Sequence, residues 1–499
     1  MAIDYTAIRS AIASIRSDHD SDGQSAPQVD EIYPPMRHAS ALDPSTMVVV
    51  GARGTGKSFW AGVLNQDDTR EETAKAYPRL GLERLIVKPG FTGFSDEHTL
   101  ARKEFDKWIK PRRETEEAPR VWQAIIIRAA QWALSGDASP ELFDGYLEKY
   151  SDPESANREL RSLDEKLVAK GKSLLVTFDA LDTISIDWSR SSKLINALFE
   201  TIWALRIRRA IRAKVFIRPE QLEDDNLHFI ELPKIKSGSV RLEWGQDDLY
   251  AMLFSRILKP RNAQTLDASS EFEQGVTSFK QLIAEAGIVL NSDFTHNQLR
   301  DSLLAAPSTQ KKIMNHIAGL YMGKGSKKGN TYDWPYKHLC DAQEKVTPRS
   351  FVELFAEAAR DALKTGYSLG QSVISPDCIR NGLRKASAVR VDQLSKEYKW
   401  VKRALAPLSG VRVPCERSVI YERWKDAHTL ELIAQEAPND YLPPFPLSFT
   451  EGREQLLAEQ MQRIGVISER DDGRFDIPDL FRVAAKMLRM GGTPPRQGR

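Results

Sequence analysis

Thr46-Met-Val-Val-Val-Gly-Ala-Arg-Gly-Thr-Gly-Lys-Ser58 is an apolar run that breaks into three glycines and ends in a lysine and a hydroxyl. From Gly51 to Ser58 it meets every fixed position of the GxxxxGK[ST] phosphate-binding loop. The valines predict a strand, and Ser58-Phe-Trp-Ala-Gly-Val-Leu64 predicts a helix after the loop. Between them Gly51, Gly54, Thr55 and Gly56 form a backbone cradle whose N–H groups converge on phosphate. Lys57 is placed to reach the β and γ oxygens, the Ser58 hydroxyl to hold Mg²⁺, and the helix start adds its positive dipole end. ATP and Mg²⁺ are the ligands this stretch predicts. The bland alternative is an ordinary glycine turn between strand and helix, against which stand the apolar strand before the loop and Ser58-Phe-Trp-Ala-Gly-Val-Leu64 after it.

The rest of the chain is consistent with a large multidomain protein. Its 499 residues are 41% hydrophobic, enough for several cores, and predict about three domains. No stretch approaches the roughly 20 apolar residues of a membrane helix, and Met1-Ala-Ile-Asp-Tyr5 lacks the basic start of a signal peptide, so the cytoplasm is the expected location and no membrane partner is expected. Cys340, Cys378 and Cys415 are far apart and read as ordinary buried thiols, and the eight histidines show no metal-ligand spacing. A net charge of +2 favours no class of partner.

Residues 1–45 read as a flexible extension with a short helix from Tyr5 to Arg16, and 46–240 as the nucleotide-binding core. Strands are expected at Thr46–Val50, Glu83–Lys88, Ser173–Asp179, Lys214–Ile217 and His228–Leu232, with helices at Val121–Leu134 and Ser192–Arg212. Alternating strands and helices predict an α/β fold with a parallel sheet. The strand between the phosphate loop and the carboxylate strand points to the additional-strand class of P-loop ATPases. From Arg241 helical periodicity takes over, giving a helical lid at 241–365 and a further helical region at 366–440. At 441–490 a helix (Glu454–Ile464), two strands around Asp471-Asp-Gly473 and a helix from Pro478 predict a winged-helix-like domain.

Four further side chains are candidates for the site. Asp179 ends a buried strand, where a nucleotide-hydrolysing site needs its second metal-holding acid. Asp182 lies three residues on, as a water-activating base or as the N-cap of the next helix. Directly after Asp179, where a glutamate would activate water, stands Ala180, which predicts slow hydrolysis. Arg218 follows its strand directly and is the candidate γ-phosphate sensor, with pairing to Glu220 or Glu223 as the alternative. Arg349, at the helix start Thr347-Pro-Arg-Ser-Phe351, is a second sensor candidate or a plain surface arginine.

These motifs, GARGTGKS at 51–58, LLVTFDALD at 174–182, KVFIRPE at 214–220, TPRSF at 347–351 and GVISERDDGRFDIPDLFR at 465–482, resemble the bacterial P-loop ATPases of the STAND and AAA+ borderland, related in layout to origin-recognition ATPases. The resemblance implies an acid pair at Asp179 and Asp182, a sensor at Arg218 and a lid sensor at Arg349. STAND proteins normally carry a fused effector or a repeat array, and these 499 residues show neither, so the resemblance implies an effector that is either a separately encoded polypeptide or absent. The resemblance further suggests a multi-gene anti-phage defence system.

Gly366-Tyr-Ser-Leu-Gly370 matches the hydrolase GxSxG elbow but follows a helix where that motif needs a strand, so it reads as a loop. Arg206, Arg208, Arg209 and Arg212 with Lys214 read as the solvated face of an amphipathic helix, or as an anion or subunit contact. Two functions remain open. One is an ATP-driven conformational switch governing a protein effector or homo-oligomer assembly; the other is a DNA-binding ATPase, a loader or partitioning factor, using the winged helix. The mixed charges of Glu469-Arg-Asp-Asp-Gly-Arg474 weigh against the second, since a duplex reader clusters lysine and arginine.

Overall fold

A computed structural model describes residues 3–15, 27–94, 100, 102–136, 143–185, 187–224, 226–258, 270–288, 296–305, 307–366, 372–441, 443–445, 447 and 452–490. The chain forms two compact units, residues 19–243 and residues 1–18 with 244–499.

The first unit is built on a five-stranded parallel sheet of β1 (Val48–Val50), β2 (Leu85–Phe91), β3 (Ser173–Phe178), β4 (Ile211–Ile217) and β5 (Val240–Arg241), in the order β2-β3-β4-β1-β5. Because side chains alternate across a strand, β1 feeds both faces of the sheet. Val48 and Val50 join a core with Ile126, Phe178 and Leu198, while Val49 joins Trp60, Leu64 and Phe216 on the other face. Helices Glu114–Ser135 and Trp188–Ala204 supply the first layer, and helix Lys57–Asn65 supplies the second. This is the expected α/β sandwich. The strand expected between the phosphate loop and the carboxylate strand, β2, lies at the edge of the sheet, and the strand hydrogen-bonded between β1 and β3 is β4.

Two sequence expectations in this unit are corrected. His228–Leu232 is not a strand: Pro233 sits in the first turn of a helix, Leu232–Ser237, and the fifth strand is β5 beside β1. Proline lacks the N–H a strand needs but suits a helix start, which decides the case. The helix expected over Ser192–Arg212 ends at Ala204. The buried Asp164 carboxylate accepts N–H groups from Arg209, Ala210 and Ile211, turning the chain into β4. The arginine series is therefore not a helix face. Lys214 is fully buried, and its ammonium donates to the carbonyls of Ala41, Asp43 and Thr46, fixing the segment that leads into β1.

In the second unit, residues 5–14 of the expected extension form a helix, Tyr5–Ser14, capped by Asp4. It packs on helices Ser270–Glu285 and Pro348–Lys364. Arg9 donates to the Val373 carbonyl at 2.7 Å and Arg360 to the Ala13 carbonyl at 3.0 Å. A side chain at Gly275 would collide with the Ala7 backbone, so a glycine is what permits this close crossing. The linker at residues 16–26 lies outside the described residues, as do Tyr367 to Gly370 of the GxSxG match. Toward the C-terminus, helix Arg453–Arg463 precedes a two-stranded antiparallel hairpin, Ser468–Glu469 with Phe475–Asp476, and a short helix, Asp479–Arg482, follows. Among the described residues no helix is long and apolar enough to cross a membrane.

Candidate nucleotide site

The phosphate loop leaves β1 at the carboxyl edge of the sheet, where the Gly51 N–H is held by the Ile217 carbonyl of β4 at 3.0 Å. Gly54 and Gly56 have φ of 83° and 102°, a backbone region that β-carbon-bearing residues avoid, so these glycines make the turn. Gly56 caps helix Lys57–Asn65, and the Thr55 hydroxyl ties back to the Ala52 carbonyl at 2.8 Å. The Lys57 ammonium folds over the loop, donating to the Gly51 and Ala52 carbonyls at 2.6 and 3.2 Å. Burial, then the nearby Arg218 charge, pushes its pKa down to about 8, against the pull of Asp179, Asp182 and Glu220. A cation in this position gains by meeting an anion.

Asp179 stands at the end of β3, its N–H bonded to the Phe91 carbonyl of β2 at 2.8 Å. The Ser58 side chain lies near enough to the Asp179 carboxylate to favour its ionised form, so the two residues expected to hold a metal are neighbours. Burial holds the carboxyl above its ordinary range, and Ser58 and Lys57 only partly oppose this. One carboxylate oxygen, Oδ1, is buried with no hydrogen-bond partner. Leaving such an atom orphaned is costly, and a hard cation would satisfy it. A carboxylate and a hydroxyl beside a phosphate cradle fit Mg²⁺, which takes few protein ligands and completes its shell with water and phosphate oxygens.

Asp182 is not a helix cap. The next helix, Trp188–Ala204, is capped by Asp187, which accepts the Arg190 N–H. Asp182 instead accepts from Arg218 at 2.6 Å, with Glu220 3.9 Å from the same guanidinium. Glu223 belongs to Arg241, at 2.8 Å. Arg349 belongs to the other unit, on helix Pro348–Lys364, where the Gln393 amide oxygen, in the orientation that satisfies both groups, accepts from it at 2.8 and 3.2 Å. No group of three or more His, Cys, Asp or Glu arranged to hold a metal occurs among the described residues.

One residue that positions the loop was not legible in the sequence. His38, fully buried, accepts from the Trp60 indole at 3.1 Å through Nδ1 and faces the Glu243 carbonyl at 3.0 Å through Nε2. These partners fix a neutral ring with its proton on Nε2, and burial lowers its pKa to about 4. His38 thereby anchors the first turn of the phosphate-loop helix. Its partners are 22 and 205 residues away, so no local pattern reveals it.

No family model matches the chain, and neither does any curated protein. Among solved structures it is similar to the ORC2 protein of Aeropyrum pernix in its ADPNP–ADP complexes, with 14% identity and a TM-score of 0.31 over 94% of this chain and 98% of that one. The ADP form of that protein gives 15% identity and 0.31 over 93% of each chain. A likeness at that TM-score does not bear on function, so the functional reading rests on the site's own residues.

Proposed function

We propose that the chain is an ATP-binding conformational switch of the STAND and AAA+ kind, a slow ATPase that governs a separately encoded protein effector or its own assembly. The observation that carries this is the buried Asp179 oxygen without a hydrogen-bond partner, near Ser58 and the buried Lys57 ammonium, three groups whose chemistry suits one metal ion and one polyphosphate. Gly51, Gly54, Thr55 and Gly56 offer backbone N–H groups to the phosphates, Lys57 binds their oxygens, and Ser58 and Asp179 hold Mg²⁺. Bound Mg²⁺ would neutralise charge on the phosphates and orient them. Asp182 orients or deprotonates the attacking water, and Arg218 answers to the terminal phosphate. With Ala180 where a glutamate would activate water, turnover is slow.

Inverting a closed-to-open ratio from 1:99 to 99:1 takes about 5.5 kcal/mol of differential binding. Hydrogen bonds to charged groups contribute roughly 1.5–3 kcal/mol each, so about two to four γ-phosphate contacts suffice. Arg349 in a helical lid, a winged-helix-like C-terminus, a cytoplasmic setting and a role in bacterial anti-phage defence complete the reading. For the DNA-binding alternative the hairpin offers little. Arg470 is engaged by Asp476 at 2.7 Å and Arg474 by Asp472 at 2.6 Å, and Arg417 pairs with Glu469. Light scattering of the purified protein without nucleotide, with ADP and with Mg²⁺–ATP, each with and without short duplex DNA, separates the cases. A mass that rises only with ATP supports a switch acting through assembly. A rise that requires DNA would establish the loader instead.

The Lys57 pKa gives this reading a pH signature. Binding phosphate requires the ammonium, and a lysine titrating at about 8 loses it above that pH. ATP affinity therefore falls about tenfold from pH 7 to pH 9, with proton uptake on binding at the higher pH. Calorimetry in two buffers of different ionisation enthalpy measures both. A flat profile would mean that Lys57 stays charged throughout.

A further inference from the structure

The pair Asp182–Arg218 joins the two site residues whose roles the phosphate loop leaves open. β3 and β4 are parallel neighbours in register Phe178↔Val215, so the turn after β3 and the residue after β4 leave the sheet at one edge. Gly51 leaves β1 on the other side of β4, at that same edge. Arg218 thus stands between the loop and Asp182. Its charge also disfavours the Lys57 ammonium, which places the guanidinium within electrostatic reach of the group that would hold the terminal phosphate.

The burial of the two partners is unequal. The Arg218 side chain is 9% exposed and that of Asp182 is 33% exposed. A buried guanidinium stripped of its anion is strongly disfavoured, whereas a part-exposed carboxylate that loses its cation is met by water. Arg218, which also has Glu220 at 3.9 Å, therefore exchanges its closer anion for another, and Asp182 is the partner that can be given up. Nor does Asp182 serve the helix that follows, which has its own cap in Asp187.

We propose that Asp182 sets the preference between nucleoside triphosphate and diphosphate, by holding Arg218 in a rest position that a terminal phosphate must compete to undo. This rests on the nucleotide reading above. With no γ-phosphate, Arg218 and Asp182 stay paired, and Asp182 has one carboxylate oxygen engaged. A γ-phosphate draws the guanidinium across, and the freed carboxylate becomes available to water. The pair thus makes the hydrolytic residue available only when there is something to hydrolyse, and weakens triphosphate binding in doing so.

The opposite arrangement, in which Asp182 aims Arg218 at the phosphate, predicts the opposite sign. Calorimetric titrations of ADP and of the non-hydrolysable analogue ADPNP, both with Mg²⁺, into wild type, Asp182→Ala, Arg218→Ala and the double variant distinguish them. The latch predicts that Asp182→Ala binds ADPNP about tenfold more tightly, the worth of one charge-assisted hydrogen bond no longer surrendered, with ADP unchanged within about twofold. Arg218→Ala weakens ADPNP at least about tenfold, and the double variant matches Arg218→Ala because no latch remains to release. Asp182→Asn, which keeps the shape and removes the charge, gives the same direction should Asp182→Ala fold poorly. Weaker ADPNP binding in the Asp182 variants, or equal changes for both nucleotides, overturns the latch while leaving nucleotide binding intact. A wild type that binds neither nucleotide overturns both.

Discussion

Lys57→Ala is expected to lower ATP affinity by about 100-fold or more while leaving the fold intact. Among the described residues the buried ammonium donates to the Gly51 and Ala52 carbonyls of its own loop, at 2.6 and 3.2 Å. Two or three charge-assisted bonds to phosphate oxygens, at roughly 1.5–3 kcal/mol each, account for the loss. Stability moves the other way. A lysine whose folded pKa is about 8 against 10.5 when unfolded makes stability rise with pH between those values, and below pH 8 the full cost of keeping it charged is present. At neutral pH that cost is on the order of 3 kcal/mol, so the metal-free variant should melt at or above the wild-type temperature. Fluorescent-nucleotide titration and thermal melts check both halves. Wild-type affinity in the variant would place the nucleotide elsewhere.

Asp179→Asn is expected to cut Mg²⁺-dependent ATP hydrolysis by about 100-fold or more, and again to leave the empty protein no less stable. The buried carboxylate has a folded pKa above its ordinary value, so its ionised form costs stability that appears as pH rises through the unfolded value. The amide removes that charge and keeps the shape. What it would lack is the charge with which, on this proposal, Asp179 holds a cation. Melting curves with ATP, with and without MgCl₂, should show a magnesium-dependent rise for wild type and none for the variant. If Asp179→Asn retained metal-dependent turnover, the metal acid would have to be another residue.

Much of the site was legible because it is local. From Thr46 to Ser58 strand, glycines, lysine and hydroxyl are contiguous, and Ser173–Asp179 is a short apolar run ending in an acid. Asp182 and Arg218 were legible as candidates but not as a pair, since their meeting depends on β3 and β4 lying side by side across 36 residues. His38 was invisible for the same reason, and so was the burial of Lys214, whose basic neighbours suggested a solvated surface. Where apolar patterning misled, a polar contact or a proline decided the structure. Asp164 binds three N–H groups where the chain enters β4, after the helix has ended at Ala204, and Pro233 turns an apparent strand into a helix. The N-terminal helix was read correctly as a helix, but its amphipathic face has partners only in the fold, some 270 and 350 residues on.

Calorimetric titration of ATP into the wild-type chain, with MgCl₂ and with EDTA, asks whether the loop at Gly51–Ser58 and the acid at Asp179 form one Mg²⁺–ATP site. One site per chain, weakened at least about tenfold when magnesium is removed, is the predicted result. Binding indifferent to magnesium, or no binding at all, would contradict it.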